Sequence, residues 1–312
     1  MSDRKMQIAD IDPSLQHAFS KMPKLRLDRV WTRWLVRRLP TRRITDSAVA
    51  CTRHRLRHDE TLLYQRRESP GQAGLLWIHG GGMVIGKAAS NDAQCNHYAR
   101  DLGLTVVSAN YRLAPDHPYP AAIDDCYNTW LWFLAQAEAW GVDPTRIAIG
   151  GPSAGGGLAA ALCQRIRDQG GPQPAAQFLI YPMLDDRTAL RDDLTVIDHI
   201  LWNNQNNSFG WTAYLGRPAG SVDQTPDWAV PARRRDLSHL PPAWIGVGDK
   251  DLFLEEDRAY AQALREAGVA CDYYVAELAP HGFDSIVPEA DVSRRFQAAG
   301  DAFLRRVLAL NP

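Results

Sequence analysis

Residues 146–155 read RIAIGGPSAG and join a short apolar run to a serine that is framed by glycines. The apolar part is typical of a buried strand, and residues 158–168, which follow, have the composition of a helix. A strand that turns directly into a helix at a serine needs a very sharp turn, which glycines such as Gly151 and Gly155 permit. The stretch therefore predicts a nucleophile elbow that presents Ser153 above a sheet, at the amino end of a helix.

The same alternation of short apolar runs and longer segments with helical period continues along the chain. It is typical of βαβ units and predicts an α/β fold with a mostly parallel sheet that is flanked by helices. Six strands are predicted, over residues 75–79, 104–110, 146–150, 177–181, 243–247 and 271–275. Helices are predicted over about 91–103, 121–140, 254–267 and 292–308, and a further one contains residues 158–168.

Composition and charge exclude several classes of protein. The chain has 312 residues, of which 35 are basic and 36 acidic, so its formal net charge is −1. This balance argues against a nucleic-acid partner, and no stretch reaches the ~20 consecutive apolar residues that a membrane helix needs. The five cysteines are scattered and never paired as CxxC, so we expect reduced thiols and neither disulfides nor a metal site. We expect no secretory leader and a soluble, cytoplasmic protein without stable membrane insertion.

A second motif, HGGG at residues 79–82, follows the first of these strands. Acyl transfer passes through a tetrahedral oxyanion, which needs backbone N–H groups aimed at it. Glycines let the backbone approach closely, so Gly81 and Gly82 are predicted to donate two hydrogen bonds and the amide of Ala154 a third. A plain flexible turn after a strand is the alternative for this motif.

A histidine and an aspartate follow the last two predicted strands. His281 comes after the last strand, where a loop can carry its imidazole over the serine to take the hydroxyl proton. Asp251, after the preceding strand, is the predicted carboxylate that orients the imidazole, and Asp249 is the alternative. The resulting order, Ser153 then Asp251 then His281, is the chain order of α/β-hydrolase triads.

These motifs together resemble those of the hormone-sensitive-lipase-like esterases, also called bacterial family IV. The resemblance runs from about residue 50 to the C-terminus. Besides HGGG and the GPSAGG of residues 151–156, the matching segments are Tyr111-Arg112-Leu113-Ala114-Pro115, Tyr181-Pro182, Asp251-Leu252 and His281-Gly282-Phe283.

The resemblance implies an eight-stranded α/β-hydrolase domain over residues 46–312. It also implies a helical cap, built from an N-terminal segment, residues 1–45, and an insertion at about 190–230. The activity that it implies is hydrolysis of short- to medium-chain acyl esters, with a small-molecule ester as substrate and no cofactor. Relatives often form dimers through the last strand and helix, so the sequence leaves open whether this protein is a homodimer.

Two positions depart from the family pattern. Members usually carry an acidic residue, or in one branch threonine, before the nucleophile, whereas this chain has Pro152. Proline has no N–H and no side-chain acceptor, so whatever that group holds in relatives must be held otherwise here. Asp116, where relatives often carry glutamate, is the milder departure. Pro152 leaves the branch, the substrate preference and the pH behaviour open.

An amphipathic helix is predicted in the N-terminal segment. One side of this helix is apolar, and the opposite side carries four arginines, at positions 26, 29, 33 and 37. Packing of the apolar side over the rest of the protein is the commoner arrangement for such a helix. A basic amphipathic helix that lies on a membrane surface is the alternative. The apolar side follows the i, i+3, i+4, i+7 spacing and consists of Leu27, Val30, Trp31, Trp34 and Leu35, with Arg38.

Two other functions share these motifs with an esterase. An amidase or formamidase would use the same three residues, because leaving-group preference depends on the shape of the pocket. A non-catalytic ligand-binding protein of this fold is the other alternative, and some plant hormone receptors with this resemblance lack the histidine. This chain keeps Ser153, Asp251 and His281, so the sequence favours an enzyme, and among enzymes a carboxylic ester hydrolase.

Overall fold

One eight-stranded sheet organises the chain, as seen in a computed structural model that describes residues 4–41, 43–44, 46–56, 60–68 and 71–310. The strands are Val49–Arg55 (β1), Glu60–Arg66 (β2), Gly74–Ile78 (β3), Thr105–Ala109 (β4), Ile147–Pro152 (β5), Ala176–Ile180 (β6), Ala243–Gly248 (β7) and Cys271–Ala276 (β8). In space they follow the order β1-β2-β4-β3-β5-β6-β7-β8. β1 and β2 are antiparallel to their neighbours, and every pairing from β4 to β8 in that order is parallel.

The predicted α/β class and the mostly parallel eight-stranded sheet are confirmed. All six strands that were predicted from apolar runs are present, and their bounds lie within two residues of the predicted ones. β1 and β2 were not predicted. β2 contains only a short apolar run, Leu62, Leu63 and Tyr64, between polar residues. β1 is an edge strand, and beyond Val49 its residues are half-buried or exposed, so its sequence is polar rather than apolar.

Helices cover both faces of the sheet. The predicted helices are confirmed as Asp92–Asp101 (α3), Ala121–Ala137 (α4), Ala154–Gln169 (α5), Leu254–Glu266 (α8) and Asp291–Val307 (α10). The remaining helices are Pro13–Ser20 (α1), Val30–Arg38 (α2), Asp192–Ile197 (α6), Asn204–Leu215 (α7) and the short Phe283–Ile286 (α9).

Apolar side chains form two clusters, one on each face of the sheet. In β3, Leu75 and Trp77 join the cluster under α3 and α10, whereas Leu76 and Ile78 join the cluster under α4, α5 and α8. Successive side chains of a strand point to opposite faces, so a strand that is covered on both faces is apolar throughout. This double burial is the reason why the central strands were readable as continuous apolar runs.

Helix α5 begins directly after β5 and packs closely against the carboxyl end of β3. A Cβ atom on Gly155 would lie 1.9 Å from the carbonyl oxygen of Ile78, and one on Gly151 would lie 2.2 Å from the same oxygen. Both distances are far below van der Waals contact, so the helix can approach the strand only where these positions carry no side chain. The glycines around Ser153 are therefore a packing requirement of the turn.

The N-terminal segment and the insertion near residues 190–230 contact each other through Asn206 of α7. Its Nδ2 donates to the carbonyl oxygen of Leu25 at 3.0 Å, and its Oδ1 accepts from the amide of Leu27 at 3.1 Å. A cap that is built from both segments needs such a connection. The division of the chain into a cap and a catalytic domain stays a prediction.

The amphipathic helix of the N-terminal segment is present as α2. The prediction that its tryptophans pack over the rest of the protein is wrong. Trp31 is 67% exposed and Trp34 58% exposed, and α2 turns its arginine side towards the protein. Arg33 is buried, where it donates from Nη1 to the carbonyl oxygen of Leu27 at 2.6 Å and lies over the ring of Phe209.

Arg37 fixes the second turn of α2 in the same orientation. Its guanidinium donates to the carbonyl oxygens of Val84 (2.9 Å) and Ala114 (2.7 Å) and forms an ion pair with Asp116. Rolling the helix to bury the tryptophans would remove the donors from these acceptors, which explains why the arginine side faces inwards. The ion pair also gives Asp116, the milder departure from the family pattern, a structural role.

All five cysteines are free thiols in the structure, and four of them are buried. Burial raises the pKa of the Cys95 and Cys163 thiols far above the usual range, so both stay protonated and unreactive. Within the residues that the structure describes, no helix combines the length and the apolar character that crossing a bilayer requires.

We predict that Gly155→Ala lowers the free energy of unfolding by about 1–3 kcal/mol, because the added methyl group must push away the backbone of Ile78. Gly171→Ala is the matched control, since its Cβ would have Ile166 Cγ2, at 4.0 Å, as its nearest neighbour. Urea unfolding of both variants provides the comparison. Equal unfolding midpoints for the two variants would contradict the close contact between α5 and β3.

Candidate active site

Ser153 stands at the turn between β5 and α5 in a strained conformation. Its φ is 57° and its ψ is −125°, a combination that costs a residue with a Cβ about 1–3 kcal/mol. The turn places the serine at the N-cap of α5, where the partial positive charge of the helix terminus stabilises a nearby anion. The nucleophile elbow that the sequence predicts is thus present as a backbone geometry.

The three residues that were predicted as a triad lie in one chain of hydrogen bonds. His281 Nε2 is 3.0 Å from Ser153 Oγ, and His281 Nδ1 is 2.7 Å from Asp251 Oδ2. All three side chains are buried. They come from three loops that follow β5, β7 and β8, because the carboxyl ends of parallel strands meet at the same edge of the sheet.

Asp251, and not Asp249, lies beside His281. The second carboxylate oxygen of Asp251, Oδ1, accepts a hydrogen bond from the amide of Phe253 at 3.0 Å, so both of its oxygens are held. Asp249 instead points to Lys250, whose Nζ is 3.3 Å from Asp249 Oδ2. The alternative that the sequence left open has therefore no geometric support in the structure.

The glycine loop of residues 79–82 lies next to the serine. Gly81 lines the same pocket as Ser153, with a φ of 113°, and Gly82 has a φ of 59°. The Gly81 carbonyl oxygen accepts from the amides of Val84 and Ile85, at 3.1 and 3.0 Å, which closes the loop into a tight turn. In the described part of the chain, the Gly81 and Gly82 amides donate to no backbone acceptor, so they are available to a ligand.

His79 stabilises this loop from behind. Its ring is buried and stacks on Tyr111 with a centroid distance of 4.2 Å, and its Nδ1 lies 2.8 Å from the carbonyl oxygen of Gly80. Tyr111 in turn donates from its hydroxyl to the carbonyl oxygen of His79 at 3.0 Å. Burial lowers the pKa of His79 to about 4, so the ring stays neutral around pH 7 and acts as a fixed structural part of the loop.

The pocket above Ser153 is small and mainly apolar. It has a volume of about 280 Å³, and Pro152 forms part of its wall. Both halves of the predicted cap contribute to it, since Leu25 and Leu27 come from the N-terminal segment and Leu201 and Trp202 from the insertion. Larger clefts of 440 and 510 Å³ occur elsewhere on the surface and contain none of the three hydrogen-bonded residues.

Aromatic side chains surround His281, and none of them was predicted as a site residue from the sequence. The rings of Tyr181 and Phe253 lie 4.6 and 5.3 Å from the imidazole, and the ring of Trp202 lies at 6.4 Å. The Tyr181 hydroxyl donates to Asp284 Oδ1 at 2.7 Å, and burial raises the pKa of the Asp284 carboxyl group. The family motif at residues 181–182 was the available signal for Tyr181, and the tryptophan content of the insertion was the signal for Trp202.

The side chains that could bind a metal ion are dispersed in this structure. Among the described residues, no group of three or more histidine, cysteine, aspartate or glutamate side chains is arranged around a common centre. The pocket brings the Ser153 hydroxyl and the His281 imidazole, which is hydrogen-bonded to the Asp251 carboxylate, next to the backbone amides of the glycine loop. Such a set can transfer an acyl group through a serine ester.

Comparison with known proteins adds independent information on the family. A sequence profile for a family described as alpha/beta hydrolase fold matches residues 75–285. The carboxylic ester hydrolase LipN of Mycobacterium tuberculosis is 38% identical over 67% of this chain, which spans 56% of LipN. The ethyl acetate hydrolase of Pseudomonas putida is 34% identical, over 72% of each chain.

Solved structures show the same similarity over nearly the whole chain. A structure titled bacterial heroin esterase has a TM-score of 0.84 and 33% sequence identity, and the alignment covers 97% of this chain and 99% of that one. An esterase from the bacterial hormone-sensitive lipase family has a TM-score of 0.76 and 28% identity, with 95% and 99% covered.

We predict that Ser153→Gly is more stable than Ser153→Ala by about 1 kcal/mol, because glycine adopts the positive φ of the turn without strain and alanine does not. Both variants lack the hydroxyl group, so the difference between their free energies of unfolding reports the backbone strain at this residue. Thermal or urea unfolding measures it. Equal stabilities would show that the turn stores no strain at this residue.

Proposed function

Because the chain belongs to the α/β-hydrolase family, among its hormone-sensitive-lipase-like esterases, we propose that it hydrolyses small carboxylic esters with Ser153 as the nucleophile. The single observation that carries this proposal is the chain of hydrogen bonds from Ser153 through His281 to Asp251, with distances of 3.0 and 2.7 Å. These distances are within the range in which a proton can pass between the hydroxyl and the imidazole.

Acylation follows from this geometry. His281 accepts the hydroxyl proton at Nε2 while Ser153 Oγ attacks the carbonyl carbon of the ester. Asp251 accepts a hydrogen bond from Nδ1–H, which keeps Nε2 free as the acceptor and stabilises the imidazolium ion that forms. The imidazolium then donates its proton to the departing alkoxide, so the alcohol leaves as a neutral molecule and the acyl group stays on the serine.

Negative charge develops on the former carbonyl oxygen during this step. We assign its stabilisation to the amides of Gly81 and Gly82 and to the amide of Ala154, the first residue of α5. Removing one donor of this type typically costs about 3 kcal/mol of transition-state stabilisation. The tight turn behind Gly81 and the stacked pair of His79 and Tyr111 hold the donors in place, so little reorganisation is needed when the charge appears.

Deacylation uses the same residues, with water in place of the alcohol. A water molecule takes the position of the alcohol and loses a proton to His281 Nε2 as its oxygen attacks the acyl carbon. The proton then returns to Ser153 Oγ, and the carboxylic acid is released.

The dimensions of the pocket favour short acyl chains. Its volume of about 280 Å³ is slightly below the roughly 300–1,000 Å³ that is typical of small-molecule sites. Leu25, Leu27 and Trp202 close it from the side of the predicted cap, and Pro152 contributes an uncharged wall. The relative that acts on ethyl acetate by its name agrees with a substrate of this size.

We predict that p-nitrophenyl acetate and butyrate are hydrolysed and that turnover falls steeply towards palmitate, because long chains exceed the pocket. Ser153→Ala is expected to reduce turnover by at least about 10³-fold, since the nucleophile is lost. Matched p-nitroanilides of the same acyl groups are the comparison for an amidase. Preferred cleavage of the anilides would replace the esterase proposal, and activity that survives in Ser153→Ala would exclude this serine as nucleophile.

We predict that Asp251→Asn lowers kcat by about 10⁴-fold, because an amide cannot hold the imidazole in the required tautomer. Asp249→Asn is the matched control, two residues away on the same loop, and is expected to stay within a few-fold of the wild type. Steady-state kinetics on p-nitrophenyl acetate provides both values. Equal losses in the two variants would mean that the loop as a whole, and not Asp251, supports catalysis.

A further inference from the structure

Helix α2 presents a continuous apolar surface to solvent. Val30 is 72% exposed, and Trp31, Trp34 and Leu35 are exposed beside it. Leu39 continues the same surface beyond the end of the helix, at 52% exposure. Isolated exposed apolar residues are common, but five together, two of them tryptophans, mark an interaction site.

The orientation of this surface is fixed by the other side of the helix. Arg33 and Arg37 together donate to three backbone carbonyl oxygens, and Arg37 also pairs with Asp116. A buried guanidinium is costly unless its donors are paired, so these contacts hold α2 in one orientation. The tryptophans are therefore kept outside by the same contacts that hold the helix on the protein.

The charge around this apolar surface of α2 indicates the chemistry of its partner. Residues 1–45 contain eleven lysines and arginines and only four aspartates, whereas the rest of the chain has 24 basic and 32 acidic residues. Two basic side chains shortly before α2 are largely exposed, and each lies near a carboxylate. Lys24, 84% exposed, pairs with Asp198, and Arg29, 60% exposed, lies 3.9 Å from Asp28. Arg38 lies over the ring of Trp34 at 4.1 Å, so charge and aromatic surface are presented together.

We propose that α2 docks this protein reversibly onto an anionic lipid surface. Tryptophan is favoured at the boundary between headgroups and acyl chains, and flanking lysines and arginines are attracted by anionic headgroups. α2 has only nine residues and would lie in the plane of the surface rather than cross it. A second copy of this chain fits less well, because a symmetric contact would bring two equally positive surfaces together.

The docked surface adjoins the mouth of the candidate active site. Leu25 and Leu27, directly before α2, line the pocket above Ser153. At the other end, Lys87 donates from Nζ to the carbonyl oxygen of Leu39 at 3.0 Å, next to the loop that follows the glycines. Docking through α2 would therefore bring the pocket close to the lipid surface.

Cosedimentation of the full chain with vesicles tests this proposal. We expect binding to phosphatidylglycerol vesicles and at least tenfold weaker binding to phosphatidylcholine vesicles. Trp31→Ala/Trp34→Ala should lower the partition coefficient at least tenfold, and Arg29→Glu/Arg38→Glu should lower it by about fivefold or more per charge removed. The matched controls, Leu190→Ala and Arg294→Glu, change exposed residues on other elements and should bind like the wild type.

The proposal is overturned if the wild type does not sediment with phosphatidylglycerol vesicles, or if the tryptophan variant binds as well as the wild type. Sedimentation velocity without lipid tests the other possible occupant of the surface, a second copy of this chain. A dimer that dissociates in Trp31→Ala/Trp34→Ala, with no vesicle binding, would assign the surface to a second copy. Circular dichroism shows whether each variant is folded, and the readout is binding, so it does not depend on the proposed hydrolysis.

Discussion

The whole arrangement depends on one sharp backbone turn, at which Ser153 is held with a positive φ between β5 and α5. Its amide donates to the carbonyl oxygen of Ile180 at 2.8 Å, and its own carbonyl accepts from Gly157 and Met183, each at 3.0 Å. The turn can form only because Gly155 has no side chain and lets α5 approach the backbone of β3. With the backbone fixed from several sides, the hydroxyl has a defined position to which the other loops are fitted.

The parallel sheet explains how distant residues meet at this hydroxyl. The loops after β3, β5, β7 and β8 all leave from the same edge, so glycines, serine, carboxylate and imidazole converge without long connections. The N-terminal segment and the insertion then close the pocket from above and are joined by Asn206. In this arrangement Pro152 and the apolar residues of the predicted cap form the walls of a small, mainly apolar pocket.

Much of this could be predicted because each candidate residue lies at or shortly after the end of a predicted strand. For Ser153 and Asp251 the strand is buried throughout, so its sequence is apolar, whereas β8 before His281 is only partly buried. Ser153, Asp251 and His281 were found in this way, and the structure brings them together. The orientation of α2 could not be predicted, because periodicity shows that a helix has two sides but not which side finds partners. The acceptors of Arg37 lie 47 and 77 residues further along the chain, beyond any local pattern. The polar edge strand β1 lacked an apolar run for the opposite reason, since only part of it is buried.

The most direct test of the central claim, that Ser153 carries the acyl group, is mass spectrometry of the protein quenched in acid during turnover of p-nitrophenyl acetate. We expect an acetyl group on the peptide that contains Ser153, at a level that rises with substrate concentration and disappears when substrate is exhausted. Acid preserves a serine ester, so the intermediate survives the measurement. Turnover without any acylated peptide, or an acetyl group on a different residue, would contradict the account.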